Sequence, residues 1–159
     1  MLQVKIIAVG NIREQYYKDA CEEYIKRLCG FCRPELCELK EHKLPDKPSD
    51  GEIAAALHEE GERILQAIPP KSLRVVLAVE GKMLSSEELS ALIDRGTLTH
   101  SSLCFIIGSS YGLSPEVKAC ADVRLSFSRL TFPHRLFRVM LLEAVYRAFT
   151  ISKGTGYHK

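Results

Sequence analysis

Arg138, Glu143 and Arg147 interrupt the most apolar stretch of this chain. They lie in LSFSRLTFPHRLFRVMLLEAVYRAF, Leu125 to Phe149, with Arg129 and His134 at the entrance to its helical half. The closing KGTGYHK adds Tyr157, His158 and Lys159. These side chains offer cations for phosphate, an aromatic ring that can stack on a base, and an imidazole that titrates near neutral pH. At about 100° per residue, Glu143 and Arg147 share a helix face in the favourable acid-first order, and His134 and Arg138 share another. Arg138 and Arg147, nine residues apart, lie about 180° around the helix from each other. Between Leu136 and Phe149, 11 of 14 residues are apolar, so most of the circumference seeks burial. A core helix with a satisfied ion pair would account for this, and so would a helix wrapped by a partner chain.

Charge distribution points the same way. Residues 129–159 hold six Lys/Arg against one acid, while the remaining 128 hold 16 against 19. A basic end on a nearly neutral body is an electrostatic footprint for a polyanion, although a solvated helix face has the same composition. GSSYG, Gly108 to Gly112, follows a strand pattern, where α/β proteins place ligand loops; by itself it reads better as an ordinary strand–helix turn. Dinucleotide, P-loop, zinc-protease and nucleophile-elbow signatures are absent. Cys29, Cys32, Cys37 and His42 approximate a zinc-knuckle spacing. Cys37 and His42, however, stand five apart across a strand pattern, on opposite faces, so buried thiols are the better reading and no metal is expected.

The elements that position these residues follow from periodicity. LQVKIIAV reads as a buried strand closed by Gly10-Asn11, and Tyr17 to Leu28 as one face of a helix. PELCELKEH is a strand, and KLPDKPSDG a loop ending in a Ser49/Glu52 capping box. The helix that follows should bury Ile53, Leu57, Ile64 and Ile68. LRVVLAV is a strand, Ser85 and Glu88 cap a helix ended by Gly96, and SLCFIIG is a second buried strand. Ser114-Pro115-Glu116 starts a helix, DVRLSFS is a short strand, and Thr131 to Pro133 open the last helix. Strands alternating with helices predict a single-domain α/β protein over 1–159 with a mainly parallel sheet covered by helices. No run of 18 apolar residues exists, so no membrane span is expected, and a cytoplasmic location is the default.

With these residues in view, FIIGSSYGLSPEV, the Leu125–Phe149 segment and the terminal GYHK closely resemble the ribosomal RNA large subunit methyltransferase H family of the SPOUT superfamily. VKIIAVGNIRE, EGERIL and LAVEGKMLSSEE extend the resemblance along essentially the whole chain. It implies a C-terminal deep trefoil knot over about 103–159, S-adenosylmethionine bound there in a bent shape, and a homodimer. The implied substrate is a pseudouridine in the helix 69 loop of 23S rRNA, methylated at N3 in the assembled 70S ribosome. Carried onto this sequence, cofactor contacts fall on Leu77, Gly108, Phe127, Ser128, Arg129, Leu130, Thr131 and Phe132. His134, Arg138, Arg147 and Lys159 would hold RNA. Tyr157 and His158 would contact the base, with Glu143 orienting Arg147, His158 as candidate base, and the tail of one subunit covering the pocket of the other. Two departures stand out. Ser109 replaces a usual second glycine and would be strained if that position needs a positive φ, and Gly156 stands where proline is common, which predicts a looser tail. A non-catalytic RNA-binding module, a methyltransferase with another RNA target and a zinc-dependent regulator are the competing readings.

Overall fold

The computed structural model describes residues 1–159, and its framework is one all-parallel, five-stranded sheet. The strands are β1 (Gln3–Val9), β2 (Arg33–Leu39), β3 (Ser72–Met83), β4 (Ser102–Ile107) and β5 (Val123–Ser126). Five helices connect or follow them: α1 (Gln15–Leu28), α2 (Asp50–Ala67), α3 (Ser86–Thr99), α4 (Pro115–Ala119) and α5 (His134–Ser152). The spatial order is β2-β1-β4-β3-β5.

Successive strand side chains point to opposite faces, which explains the unbroken apolar runs. Val4, Ile6 and Ala8 of β1 join Leu103 and Phe105 of β4 in the core beneath α1, α3 and α5, while Ile7, Cys104 and Ile106 face the smaller core beneath α2 and α4. Fully burying one such side chain stabilises the fold by about 1.5–3 kcal/mol. α5 lies between α1 and α3, which is how a single chain covers most of so apolar a helix. Leu141, Leu142, Val145 and Ala148 are buried, whereas Leu136, Val139, Met140 and Ala144 remain half-buried along one side.

Local chemistry sets the boundaries. Both capping boxes form, Ser49 with Glu52 and Ser85 with Glu88. Gly96 does not end α3, which continues to Thr99. Its lack of a side chain serves packing, since a Cβ there would lie 2.6 Å from Leu73 Cδ2. β2 stops at Leu39 rather than continuing to His42, because α2 captures the chain beyond it: Arg63 donates to the Lys40 carbonyl (2.8 Å), and the His42 amide donates to buried Glu60 (3.0 Å). That contact also accounts for the face α2 presents. Ala56, Glu60, Gly61 and Ile64 are its buried residues, while Ile53, Leu57 and Ile68 are only half-buried.

β3 runs beyond its predicted end in an unusual way. Leu77 pairs with Leu125 of β5, the chain then arches, and Lys82 pairs with the same Leu125. Gly81 makes the arch possible: a Cβ there would lie 2.8 Å from the backbone of Arg124 and Leu125. Residues 77–82 therefore curl tightly over the edge strand.

Candidate active site

A cavity of about 640 Å³ opens at the carboxyl ends of β3, β4 and β5, where ligands of parallel α/β sheets are generally bound. Three segments form most of its wall, the end of β3 with its arch, the Gly108–Leu113 turn after β4, and the loop from β5 into α5, and Lys118 of α4 with His134 and Phe137 of α5 complete it. The turn is closed by the Gly112 amide donating to the Ser109 carbonyl (2.9 Å), with Gly112 at φ +94°. Gly108 tolerates no side chain, because a Cβ would stand 2.3 Å from the Gly112 oxygen. Ser109 has no positive φ, so the strain foreseen for it is absent; Gly112 makes the left-handed bend instead. Across the cavity, Ser126 Oγ donates to the Ser128 carbonyl (3.1 Å) and the Leu130 amide donates to Ser128 Oγ (3.0 Å), shaping the opposite loop.

Leu77, Gly108, Phe127, Ser128, Leu130, Thr131 and Phe132 all stand in the cavity wall. Arg129 does not; its neighbours on both sides line the wall while it faces solvent. His134, at the first turn of α5, lines the cavity with Nδ1 3.3 Å from Ser110 Oγ, and its Nε2 is buried without a partner. Burial depresses its basicity, favouring the neutral ring. Glu80 and Lys118 are wall residues that sequence reasoning missed. They pair at 2.7 Å from segments 38 positions apart, which no local pattern could reveal; that hydrogen bond lowers the Glu80 pKa.

Arg138 requires a correction. It is fully buried, with Nη1 donating to Glu38 (2.9 Å) and Nη2 to the Gly10 carbonyl (3.0 Å), so it cannot reach RNA phosphate. Glu38 also accepts from the Ile12 amide (3.0 Å). Arg138 thus anchors α5 to the loop after β1, satisfying a charge whose burial lowers its pKa.

Glu143, Arg147, Tyr157 and His158 form a separate cluster on α5, outside the cavity wall. Arg147 Nε donates to Glu143 (3.0 Å), Tyr157 Oη donates to the same carboxylate oxygen (3.2 Å), and the Arg147 guanidinium lies 4.9 Å from the Tyr157 ring centroid. His158 sits 3.4 Å from Arg147 through Nδ1 and 2.8 Å from Glu87 through Nε2. Hydrogen bonding to Glu143 raises the Arg147 pKa, and desolvation raises that of Tyr157. These contacts lay the tail against α5. Gly154 at φ +63° and Gly156 at φ +74° fold it back onto its own helix, a path proline cannot follow at position 156. Lys159 is exposed. In the sulfur-rich region, His42 Nδ1 contacts Glu59 at 2.8 Å, Cys29 is exposed and Cys32 is buried, and no group of three or more His, Cys, Asp or Glu side chains is placed to hold a metal.

A cavity at the strand ends, walled by a glycine turn and by loops around an arched edge strand, defines a SPOUT-type α/β protein. Residues 2–158 match the family described as predicted SPOUT methyltransferases, and the chain belongs to that family, whose fold is knotted. More particularly, it is 50% identical to the ribosomal RNA large subunit methyltransferase H of Clostridium acetobutylicum, over 99% of this chain and 100% of that protein. The proteins of the same name from Clostridium botulinum and Streptococcus thermophilus are each 46% identical over the same shares. A probable methylase family protein from Haemophilus influenzae shares the fold at a TM-score of 0.56 and 11% identity, covering 98% of this chain and 70% of that one.

Proposed function

We propose that this chain is an S-adenosylmethionine-dependent methyltransferase acting at N3 of a pseudouridine in the helix 69 loop of 23S rRNA, in the assembled ribosome. The observation that carries this reading is the full-length 50% identity to a ribosomal RNA large subunit methyltransferase H. The cavity fits the cofactor. Its volume is in the range of small-molecule sites, its walls combine apolar side chains with hydroxyls, and the side-chain-free Gly108 keeps the wall close-packed at the turn. Leu77, Gly108 and the loop from Phe127 to Phe132 would hold it, reading adenine through backbone groups. When bound, the cofactor supplies a methyl group activated by its sulfonium; the protein's work is alignment of nucleophile and methyl.

The Glu143–Arg147–Tyr157–His158 cluster stands outside its own cavity, and this supports a homodimer in which the tail of one subunit completes the site of the other. A second, smaller cavity beside the half-buried side of α5, bounded by Tyr24, Phe127, Val139, Met140, Glu143 and Ala144, supplies an apolar surface for that seam. Arg147 and Lys159 would neutralise RNA phosphate, and Tyr157 would stack on the base. For His158 to accept the N3 proton, one ring nitrogen must be free. Arg147 donates towards Nδ1 and Nε2 carries the proton shared with Glu87, so the basic lone pair is on Nδ1 and the ring must leave Arg147 before acting as a base.

The test is methyl transfer from radiolabelled S-adenosylmethionine to 70S ribosomes carrying unmethylated helix 69, with the modified nucleotide located by nuclease digestion and mass spectrometry. The parent should label one pseudouridine, and a chain lacking Gly154 to Lys159 should bind cofactor without transferring methyl. Label on another nucleotide would establish a sister specificity. Cofactor binding without transfer would favour a non-catalytic module, and an active truncation would refute the composite site.

A further inference from the structure

The cavity wall is almost entirely uncharged. Its apolar part is built from residues such as Leu77, Ile107, Leu125, Phe127 and Phe137, and most of its polar part from hydroxyls and backbone. Apart from the neutral-favouring ring of His134, charge is confined to one carboxylate, Glu80, and one ammonium, Lys118, paired at 2.7 Å. Both are partly open to solvent, with side-chain exposures of 53% and 32%. Each also rises from anchored backbone. Glu80 belongs to the arch that Gly81 seats against Arg124 and Leu125, and the Lys118 carbonyl accepts from Arg124 Nε (3.1 Å).

This polarity has a direction. A ligand with an uncharged heterocycle at one end and an amino-acid zwitterion at the other presents ammonium and carboxylate side by side, the mirror of Glu80 beside Lys118. Resting on the cofactor reading above, we infer that Glu80 and Lys118 are the specificity-determining residues for the amino-acid end of the cofactor, Lys118 taking its carboxylate and Glu80 its ammonium. The exchange opens one ion pair and makes two, so the amino-acid end itself adds no net charge to the cavity. The pair holds its carboxylate and ammonium in place before ligand arrives, and the uncharged wall is left to the adenosine.

Two probes isolate the amino-acid end without changing the sulfur. S-adenosylhomocysteine and 5′-methylthioadenosine are both neutral thioethers of the same nucleoside, and only the first carries the zwitterion. Each is titrated calorimetrically into the full-length parent, Lys118→Met, Glu80→Gln and the double variant, with thermal melts reporting folding. Each single variant loses one new contact and frees the surviving partner, so S-adenosylhomocysteine should weaken about three- to tenfold, and more in the double variant. 5′-Methylthioadenosine should stay within about twofold of the parent throughout. Equal weakening of both probes would mean that the pair merely braces the cavity, and unchanged binding of both would mean that the zwitterion lies elsewhere; either overturns the assignment. A parent that binds neither probe would overturn the cofactor reading itself, a result distinct from a parent that binds normally and is indifferent to the substitutions.

Discussion

Replacing Gly108 by alanine tests the site with a single methyl group. The added Cβ would stand 2.3 Å from the Gly112 oxygen, 2.7 Å from the Gly112 carbonyl carbon and 2.8 Å from Leu113 Cγ. Ordinary contact begins near 3.4 Å, so the turn must yield by about 1 Å. It has little room to do so. Gly112 is tied to Ser109 and held at φ +94°, and Leu113 is buried against the core under α4. Overpacking of this kind costs about 1–3 kcal/mol. At about 2–4 °C per kcal/mol for a chain of this size, melting should fall by roughly 2–12 °C. Because the shifted turn is cavity wall, a displacement of about 1 Å should reduce turnover on the order of 100-fold. The control is Gly112→Ala, whose Cβ meets nothing within 4 Å, so its cost is only the left-handed backbone, about 1–2 kcal/mol. Thermal denaturation and calorimetric titration of S-adenosylmethionine, run with the methyl-transfer assay, separate the two effects. A Gly108→Ala protein with parental melting, affinity and turnover would refute the close-packed-turn argument and with it the placement of the cofactor.

Two further outcomes are expected. Arg138→Met should destabilise the chain by about 3 kcal/mol, the low end for breaking a buried ion pair because Glu38 remains partly solvated, and urea denaturation should show a lower midpoint at unchanged slope; an unchanged midpoint would contradict the anchoring role. His134, with its pKa held below the ordinary imidazole value by burial, takes up its proton more readily when unfolded. Its contribution to stability is therefore present above about pH 6.5 and lost as pH falls through the lower folded value. His134→Gln should flatten that part of the stability–pH curve, and an undiminished slope would show that other groups produce it.

Periodicity together with start and stop signals was enough to identify the ten elements, though not every boundary, because strand alternation and helix stripes are imprinted locally by the need to bury one face. Both capping boxes and the start at Ser114-Pro115 were equally legible, since a cap joins residues three apart. The basic end of the chain and most of the residues expected around the cofactor were visible as composition and as likeness to a family. What the sequence could not contain was any charge partner beyond the same helix. Arg138 and Arg147 are both cations set in one apolar helix, on opposite sides of its wheel. Only the return of β2 beside β1 brings Glu38 to the first, which buries it, while the second meets Glu143 on its own helix and a tail turned back by two left-handed glycines. Glu80 and Lys118 meet only because β3 arches over β5, and Ser109 escapes strain only because Gly112 takes the bend. The Arg138–Glu38 and Glu80–Lys118 contacts join residues distant in sequence, and they are decided when the chain closes on itself, by shape and burial that no local pattern encodes.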